Sequence, residues 1–187
     1  MCTVQNAFAA HREVFTRLIE QKDEITLLGQ WWIDTLQSGG TIFFCGNGGS
    51  AADSQHLAAE LVGRYHNERQ GLRGIALTVD TSVLTAVAND YSYDCIFSRQ
   101  VEALGRPGDL LVAISTSGNS PNIVKAAEAA TQRKMRIIGL TGAASCKLDY
   151  CATSVLHVPS DITAHIQEMH LMIGHIWCAM VDEYYER

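Results

Sequence analysis

Short continuous runs of apolar residues alternate with longer stretches of helical periodicity along most of this chain. The runs are rich in β-branched residues and lie at 41–45, 75–79, 110–114, 137–140 and 155–158. A turn of Gly, Ser or Asn and then a stretch with helical periodicity follow most of them. Parallel strands that are buried on both faces have this continuous apolar pattern. The pattern therefore predicts an α/β fold, a three-layer sandwich of about five parallel strands flanked by helices.

Two longer regions at the chain ends have helical periodicity. Apolar residues at spacings of three and four predict one N-terminal helix at about 4–37, ended by Ser38-Gly39-Gly40, and one helix at 161–185, capped by Ser160 or Asp161. A length of 187 residues, without a repeat or a linker, predicts a single domain over 1–187. The end helices offer more apolar surface than one sheet can cover, as at Leu27, Leu28, Trp31 and Trp32. We therefore expect a tetramer.

Composition excludes several classes of protein. Hydrophobic residues make up 47% and charged residues 18%, which is enough apolar material for a core. The net charge of −6 gives no reason to expect nucleic-acid binding, and no segment has the ~18 consecutive apolar residues of a membrane span. The 6 cysteines form no C-x-x-C pair, and the first residues lack a basic leader with a long apolar stretch. Reduced thiols and a cytoplasmic location are therefore expected.

A glycine-rich loop follows the first predicted strand. Here Gly46, Asn47, Gly48 and Gly49 lead into a predicted helix that begins near Ser50. Glycines allow backbone amides to approach an anion closely, and the N-terminus of a helix attracts one. The loop lacks the lysine of a nucleoside-triphosphate loop, which disfavours that class of ligand. A plain tight turn remains the alternative.

A second loop, after the third predicted strand, is rich in hydroxyl groups. It contains Ser115, Thr116, Ser117 and Ser120, followed by Pro121 at the start of a predicted helix. Four hydroxyls at a helix N-terminus form an uncharged cradle that suits the phosphate of a sugar phosphate. The alternative is a polar turn with an N-cap, which needs one hydroxyl rather than four.

Two predicted helices carry side chains that can bind a metal or transfer a proton. His56 and Glu60 are four positions apart and project from one face, and Gln167 and His175 lie eight apart on roughly one face of the last helix. Two histidines and a carboxylate form a competent zinc set, whereas glutamine is not a usual ligand. Taken alone, each pair is more typical of a solvated or hydrogen-bonded helix face, but the glycine-rich loop one to two turns before the first pair favours a ligand there. We predict a structural role for His170, which is offset from the second pair.

Four segments make the interpretation specific: FFCGNGGSAADSQHLAAELVGRY, ANDYSYDCIFSRQVEALGRPGD, AISTSGNSPN and IQEMHLMIGH. From about residue 40 to its end, the chain resembles the phosphoheptose isomerase family of the sugar isomerase (SIS) domain superfamily. The resemblance implies a flavodoxin-like sheet and a cytoplasmic homotetramer with active sites at subunit interfaces. It implies one Zn²⁺ per subunit, with ligands at His56, Glu60, Gln167 and His175. The substrate contacts that follow from it and from the two loops are Asn47, Gly48, Gly49, Ser50, Glu60, Asn89, Asp90, Ser115, Thr116, Ser117, Ser120 and Gln167.

The reaction implied by the resemblance is the conversion of sedoheptulose 7-phosphate to D-glycero-D-manno-heptose 7-phosphate, a precursor of bacterial surface heptoses. A ketose becomes an aldose when a proton moves from C1 to C2 through an enediol. We assign Glu60 as the general base and His175 as the general acid, because a carboxylate can take the proton and an imidazole can protonate or polarise the oxygens. Zinc would stabilise the negative charge of the intermediate.

The chain departs from the family pattern at two places, and two other functions are possible. His165 stands where relatives commonly have arginine, and residues 143–146 replace a glycine-rich stretch. The main alternative is a non-catalytic SIS-domain adaptor, similar to the protein that associates with the replication initiator DnaA. That relative typically lacks counterparts of Glu60 and His175, which are present here. A regulatory SIS domain that senses a sugar phosphate is disfavoured, since no DNA-binding segment is attached.

Overall fold

The computed structural model describes residues 3–186, and the five strands in this range form one parallel sheet. The strands are β1 (Ile42–Cys45), β2 (Gly74–Ala76), β3 (Leu110–Ile114), β4 (Arg136–Thr141) and β5 (Ser154–His157). They lie in the order β2-β1-β3-β4-β5, and every neighbouring pair is parallel. This confirms the predicted α/β sandwich. β2 is shorter than predicted, because the chain turns after Leu77 towards the next helix, which Asp80 caps.

Seven α-helices in the described range cover the two faces of the sheet. They are α1 (Thr3–Leu18), α2 (Lys22–Gln37), α3 (Gly49–Val62), α4 (Thr81–Asp90), α5 (Ser98–Leu104), α6 (Pro121–Gln132) and α7 (Thr163–Tyr185). Side chains of α1, α2, α3 and α7 pack with one face of the sheet, and those of α5 and α6 pack with the other. Successive residues of β1 contribute to opposite faces: Phe44 packs with the first group and Phe43 with the second.

Two tryptophans join α2 and α7 to the sheet. The Trp32 ring lies 5.2 Å from Phe44 and 5.3 Å from Trp177, measured between ring centroids. The Trp177 indole N–H donates to the Ile25 carbonyl at 2.8 Å. Trp32 and Leu28 are therefore buried in the core of the chain itself. Leu27, which was expected on the same apolar helix, remains exposed and available for contact with another chain.

The predicted single N-terminal helix is wrong in one respect. A 3-10 turn at Ile19–Gln21 separates α1 from α2. Gln21 leaves the helical conformation, with φ −96° and ψ 13°, and its side-chain amide donates to the carbonyl of His157 at the end of β5. That contact is tertiary, which explains why local periodicity did not indicate the break.

The predicted cap of the last helix is also wrong. Helix α7 begins at Thr163 without a side-chain cap, and the Ser160 hydroxyl instead accepts a hydrogen bond from the Ile162 amide in the preceding turn. Five cysteines in the described range are free, of which Cys45, Cys146 and Cys178 are buried. Cys2 lies outside that range. None of the described helices is both long and apolar enough to span a bilayer.

Candidate active site

The two loops singled out by their sequence lie side by side in the fold. The glycine loop (residues 46–50) follows β1, and the serine loop (residues 115–120) follows β3, the direct neighbour of β1 in the sheet. The strand order reverses direction between β1 and β3. In open parallel sheets, ligands bind beyond the carboxyl ends of the strands at this point of reversal. The topology therefore places both loops at the expected ligand site.

An asparagine pair fixes the glycine loop to α6. Asn47 and Asn122 exchange hydrogen bonds between their side-chain amides, at 2.9 and 2.8 Å. The Tyr93 hydroxyl also donates to the side-chain oxygen Oδ1 of Asn47 at 3.2 Å. Gly48 adopts φ +55°, a conformation that favours glycine. Asn122 is buried, and our sequence reasoning missed it. Its position directly after Ser120-Pro121, in the first turn of α6, was the available signal.

Gln167 of α7 reaches the start of α3. A Cβ at position 49 would collide with the Gln167 amide, so only glycine permits this approach. The amide donates to a carboxylate oxygen of Asp53 at 3.2 Å. Burial raises the pKa of Asp53, against the opposing effects of Gln167, His56 and His175. Asp53 was also missed, although its place one turn before His56 on α3 could have indicated it.

The predicted proton-transfer and metal-binding side chains converge beside these residues. The Nε2 atoms of His56 and His175 are 2.8 Å apart, and His56 Nε2 lies 3.4 Å from Glu60 Oε1. The side chains of His56 and Glu60 are 45% and 19% exposed, so the pair is accessible to a small molecule. Burial, and then the neighbouring His56, lower the pKa of His175. Tyr65 stacks on His175 with 5.6 Å between ring centroids.

His56, Glu60 and His175 carry the donor types that zinc accepts. Two of their separations are known, 2.8 Å between the Nε2 atoms of the histidines and 3.4 Å between His56 Nε2 and Glu60 Oε1, against about 3.3 Å between tetrahedral ligands with bonds of about 2.0–2.1 Å. Metal ligation requires a neutral imidazole, and the lowered pKa of His175 favours that form. Within residues 3–186, however, no group of three or more His, Cys, Asp and Glu side chains is arranged so that it could hold a metal ion by itself. A further ligand such as the Gln167 amide would be needed.

The hydroxyls of the serine loop face one another instead of capping the helix. Ser115 Oγ lies 3.1 Å from Ser120 Oγ and 3.4 Å from Ser117 Oγ. Ser120 is the N-cap residue of α6, yet its hydroxyl makes no capping hydrogen bond. The plain N-cap interpretation therefore fails for this residue. A cavity beside the loop is lined in part by Thr116, Ser117, Ser160 and Asp161.

Asn89, Asp90 and His170 are the remaining residues singled out by the sequence. Asn89 and Asp90 are exposed at the end of α4, where the Asn89 side chain donates to Asp90 at 2.8 Å. Among residues 3–186, neither Asn89 nor Asp90 forms a hydrogen bond with the glycine loop or the serine loop. Their role in substrate binding stays a prediction. His170 is buried, its Nε2–H donates to the Thr141 carbonyl at 3.1 Å, and burial lowers its pKa to about 4. A structural role agrees with this environment.

A buried ion pair supports α3 from behind the site. Arg69 Nε donates to Asp182 Oδ1 at 2.7 Å, and these side chains are 4% and 2% exposed. The other carboxylate oxygen accepts the amides of His66 and Asn67. Arg69 also donates to the Glu60 carbonyl at 2.8 Å. One ion pair therefore joins α7, the segment after α3 and the backbone of Glu60.

Comparisons with known proteins agree with this arrangement. The family model of the SIS domain matches residues 8–142. Phosphoheptose isomerase of Akkermansia muciniphila is 51% identical over 179 residues, which cover 96% of this chain and 95% of the relative. The phosphoheptose isomerase of Rhodospirillum rubrum is 58% identical over 149 residues, which cover 80% of this chain and 79% of the relative. The solved structure of phosphoheptose isomerase from Neisseria gonorrhoeae superposes with a TM-score of 0.91 at 42% identity and covers 96% of this chain and 97% of its own.

Proposed function

The chain belongs to the SIS domain family and is a phosphoheptose isomerase, and from this premise we propose how its residues perform the reaction. The isomerase converts sedoheptulose 7-phosphate to D-glycero-D-manno-heptose 7-phosphate. Two phosphoheptose isomerases that are 51% identical to this chain over 96% and 94% of its length support this function. One structural observation links it to a mechanism: Glu60 and His56 of α3, the helix that follows the glycine loop, meet His175 of α7. The adaptor alternative is not favoured.

We propose that Glu60 and His175 move the proton. Glu60 removes the C1 proton as a general base, and His175 protonates or polarises the substrate oxygens as a general acid. The two residues belong to different helices, and His56 lies between them at 3.4 Å from Glu60 and 2.8 Å from His175. This arrangement fits a substrate whose two reacting carbons lie between the helices.

We further propose that each subunit binds one Zn²⁺ through His56, Glu60, Gln167 and His175, with one position left for the substrate. When bound, the ion supplies Lewis-acid stabilisation of the negative charge that develops on the substrate oxygens. Gln167 is held beside Gly49 and hydrogen-bonded to Asp53, so its amide has a fixed orientation. Asp53 would thereby keep the Gln167 amide oriented towards the ion.

The two loops would hold the rest of the substrate. We assign the phosphate to Ser115, Ser117 and Ser120, at the N-terminus of α6. The glycine loop, with Asn47, Gly48, Gly49 and Ser50, would contact the sugar hydroxyls near the reacting end. This division is supported by two contacts: Gly49 lies against Gln167, and Thr116 and Ser117 of the serine loop line a cavity.

The experiment that tests this function follows both the reaction and its metal dependence. Protein treated with a chelator is incubated with sedoheptulose 7-phosphate in D₂O, with and without added zinc, and the products are identified by NMR. We expect aldose and deuterium incorporation with zinc, and strongly reduced rates without it. No aldose and no exchange at C1 under either condition would contradict the isomerase function. Full activity of the metal-free protein would support the isomerase function and contradict the proposed role of zinc.

We propose that the protein is a cytoplasmic homotetramer with active sites at subunit interfaces. Exposed apolar side chains on α1, the 3-10 turn, α2 and α7 support an interface: Phe8, Phe15, Ile19, Leu27 and Ile176. Single exposed apolar residues are ordinary, but these belong to the same group of helices. The exposure of Asn89 and Asp90 also fits sites that are completed by a second subunit.

The assembly can be measured directly. Light scattering at micromolar concentration should give the mass of four chains of 20.5 kDa. Leu27→Asp should shift the protein towards smaller species, since it places a charge on the exposed apolar face. Glu13→Gln is a control on α1, because it changes an exposed polar side chain. A monomer as the only species of the unmodified protein would contradict the proposal.

A further inference from the structure

The serine loop is supported from outside by residues 142–148, which we call the backing segment. Three hydrogen bonds join the two: the Gly142 amide donates to the Thr116 carbonyl at 3.1 Å, Leu148 to Gly118 at 3.2 Å, and Lys147 to the Asn119 side chain at 2.9 Å. The position of the backing segment therefore determines where the serine loop lies.

Cys146 packs tightly against the loop at Gly118. This glycine has φ +63°, and a Cβ there would collide with the Cys146 sulfur. No side chain other than hydrogen fits between the backing segment and the serine loop at this point. A displacement of Cys146 would therefore be transmitted directly to the backbone that carries Ser117.

Asp149 and His157 hold the backing segment at two positions, Cys146 and Gly142. Asp149 Oδ2 accepts the Cys146 amide at 2.8 Å, and Asp149 Oδ1 contacts His157 Nε2 at 2.9 Å. His157 Nδ1 lies 2.8 Å from the Gly142 carbonyl. The His157 ring therefore bridges the Asp149 carboxylate and the Gly142 carbonyl, and its Nδ1 atom also lies 3.1 Å from the Thr141 hydroxyl. The amide of Cys146, and with it the nearby His157, lower the pKa of Asp149, which favours the anion.

We infer that Asp149 and His157 are positioning residues for phosphate binding. The inference rests on the proposed role of the serine loop. Neither residue is among the lining of the cavity beside that loop, and both act through backbone atoms of the backing segment. Because the pair fixes Gly142 and Cys146 relative to each other, it sets the separation of Thr116 from Gly118. The expected consequence is tighter binding of the phosphate group, with no part in proton transfer.

The test compares substrate binding with turnover. Asp149→Asn and His157→Ala should each raise KM for sedoheptulose 7-phosphate by about 3- to 10-fold, the factor that corresponds to one net hydrogen bond. The inhibition constant of inorganic phosphate should rise by a similar factor, while kcat stays within about twofold. The double variant should resemble the single ones, because both changes break the same pair. Tyr150→Ala is the matched control, since Tyr150 lies in the same 3-10 turn and is 89% exposed.

Ser117→Ala and Ser120→Ala separate this inference from the proposed function. If they raise KM whereas Asp149→Asn and His157→Ala leave both KM and phosphate inhibition unchanged, only the positioning role is overturned. If the serine variants also have no effect, the phosphate cradle itself is wrong, and the positioning role falls with it. A lower melting temperature with an unchanged KM in the Asp149 variant would show a purely structural contact and would overturn the inference.

Discussion

Glu60→Gln and His175→Gln should each reduce turnover of sedoheptulose 7-phosphate by about 10²- to 10⁴-fold, the usual contribution of one general acid or base. Glutamine preserves the shape of Glu60 but cannot accept a proton from carbon. In place of His175 it can still form a hydrogen bond but cannot transfer a proton. Steady-state rates of aldose formation measure the loss, and binding of the substrate by calorimetry shows whether the site remains intact. Glu60→Gln should retain substrate binding better than His56→Ala, which removes a whole ring.

Matched controls are available on exposed parts of the chain. Glu68→Gln and His11→Gln repeat the same chemical changes at side chains that are 90% and 47% exposed and lie outside the site. Both should have the turnover of the unmodified protein. If Glu60→Gln keeps its zinc content and its turnover stays within about tenfold of that of the unmodified protein, the assignment of Glu60 as the general base is contradicted.

The sequence predicts the sheet well because burial on both faces leaves a local signature. Continuous apolar runs such as residues 110–114 coincide with β3, and the paired loops follow from the position of each run. The break at Gln21 has no comparable signature, since its partner His157 is 136 positions away. A side chain that completes its hydrogen bonding across the fold can interrupt a helix whose periodicity is otherwise intact.

The site shows the same distinction. The meeting of His56 with Glu60 follows from helix geometry, because the two are four positions apart on α3. Asp53 and Asn122 were missed because their partners, Gln167 and Asn47, lie 114 and 75 positions away. The position of Asp53 one turn before His56 and that of Asn122 directly after Pro121 were the only local signals, and neither identifies so distant a partner. The convergence of α3 with α7, which gives Asp53 its environment, is a property of the tertiary fold.

The ion pair between Arg69 and Asp182 predicts the largest change in stability. Asp182→Asn should lower the free energy of unfolding by about 3–5 kcal/mol, because removing one partner leaves the other charge buried without compensation. Urea denaturation at one protein concentration measures this difference. Arg99→Ala is the control, since Arg99 and Glu102 form a pair with side chains that are 50% and 44% exposed. Its effect should be about 0–1 kcal/mol.

The same ion pair predicts a specific response to acid. Burial would raise the pKa of Asp182, but the amides of Asn67 and His66 together with Arg69 lower it below its ordinary value. A carboxylate with a lowered pKa in the folded state stabilises the fold above its unfolded pKa of about 4, and the contribution is lost as the pH falls through the folded value. The unmodified protein should therefore lose stability below about pH 4 more steeply than Asp182→Asn does. Parallel acid-unfolding curves of the two proteins would contradict this role of Asp182, because the variant has no carboxylate to protonate at that position.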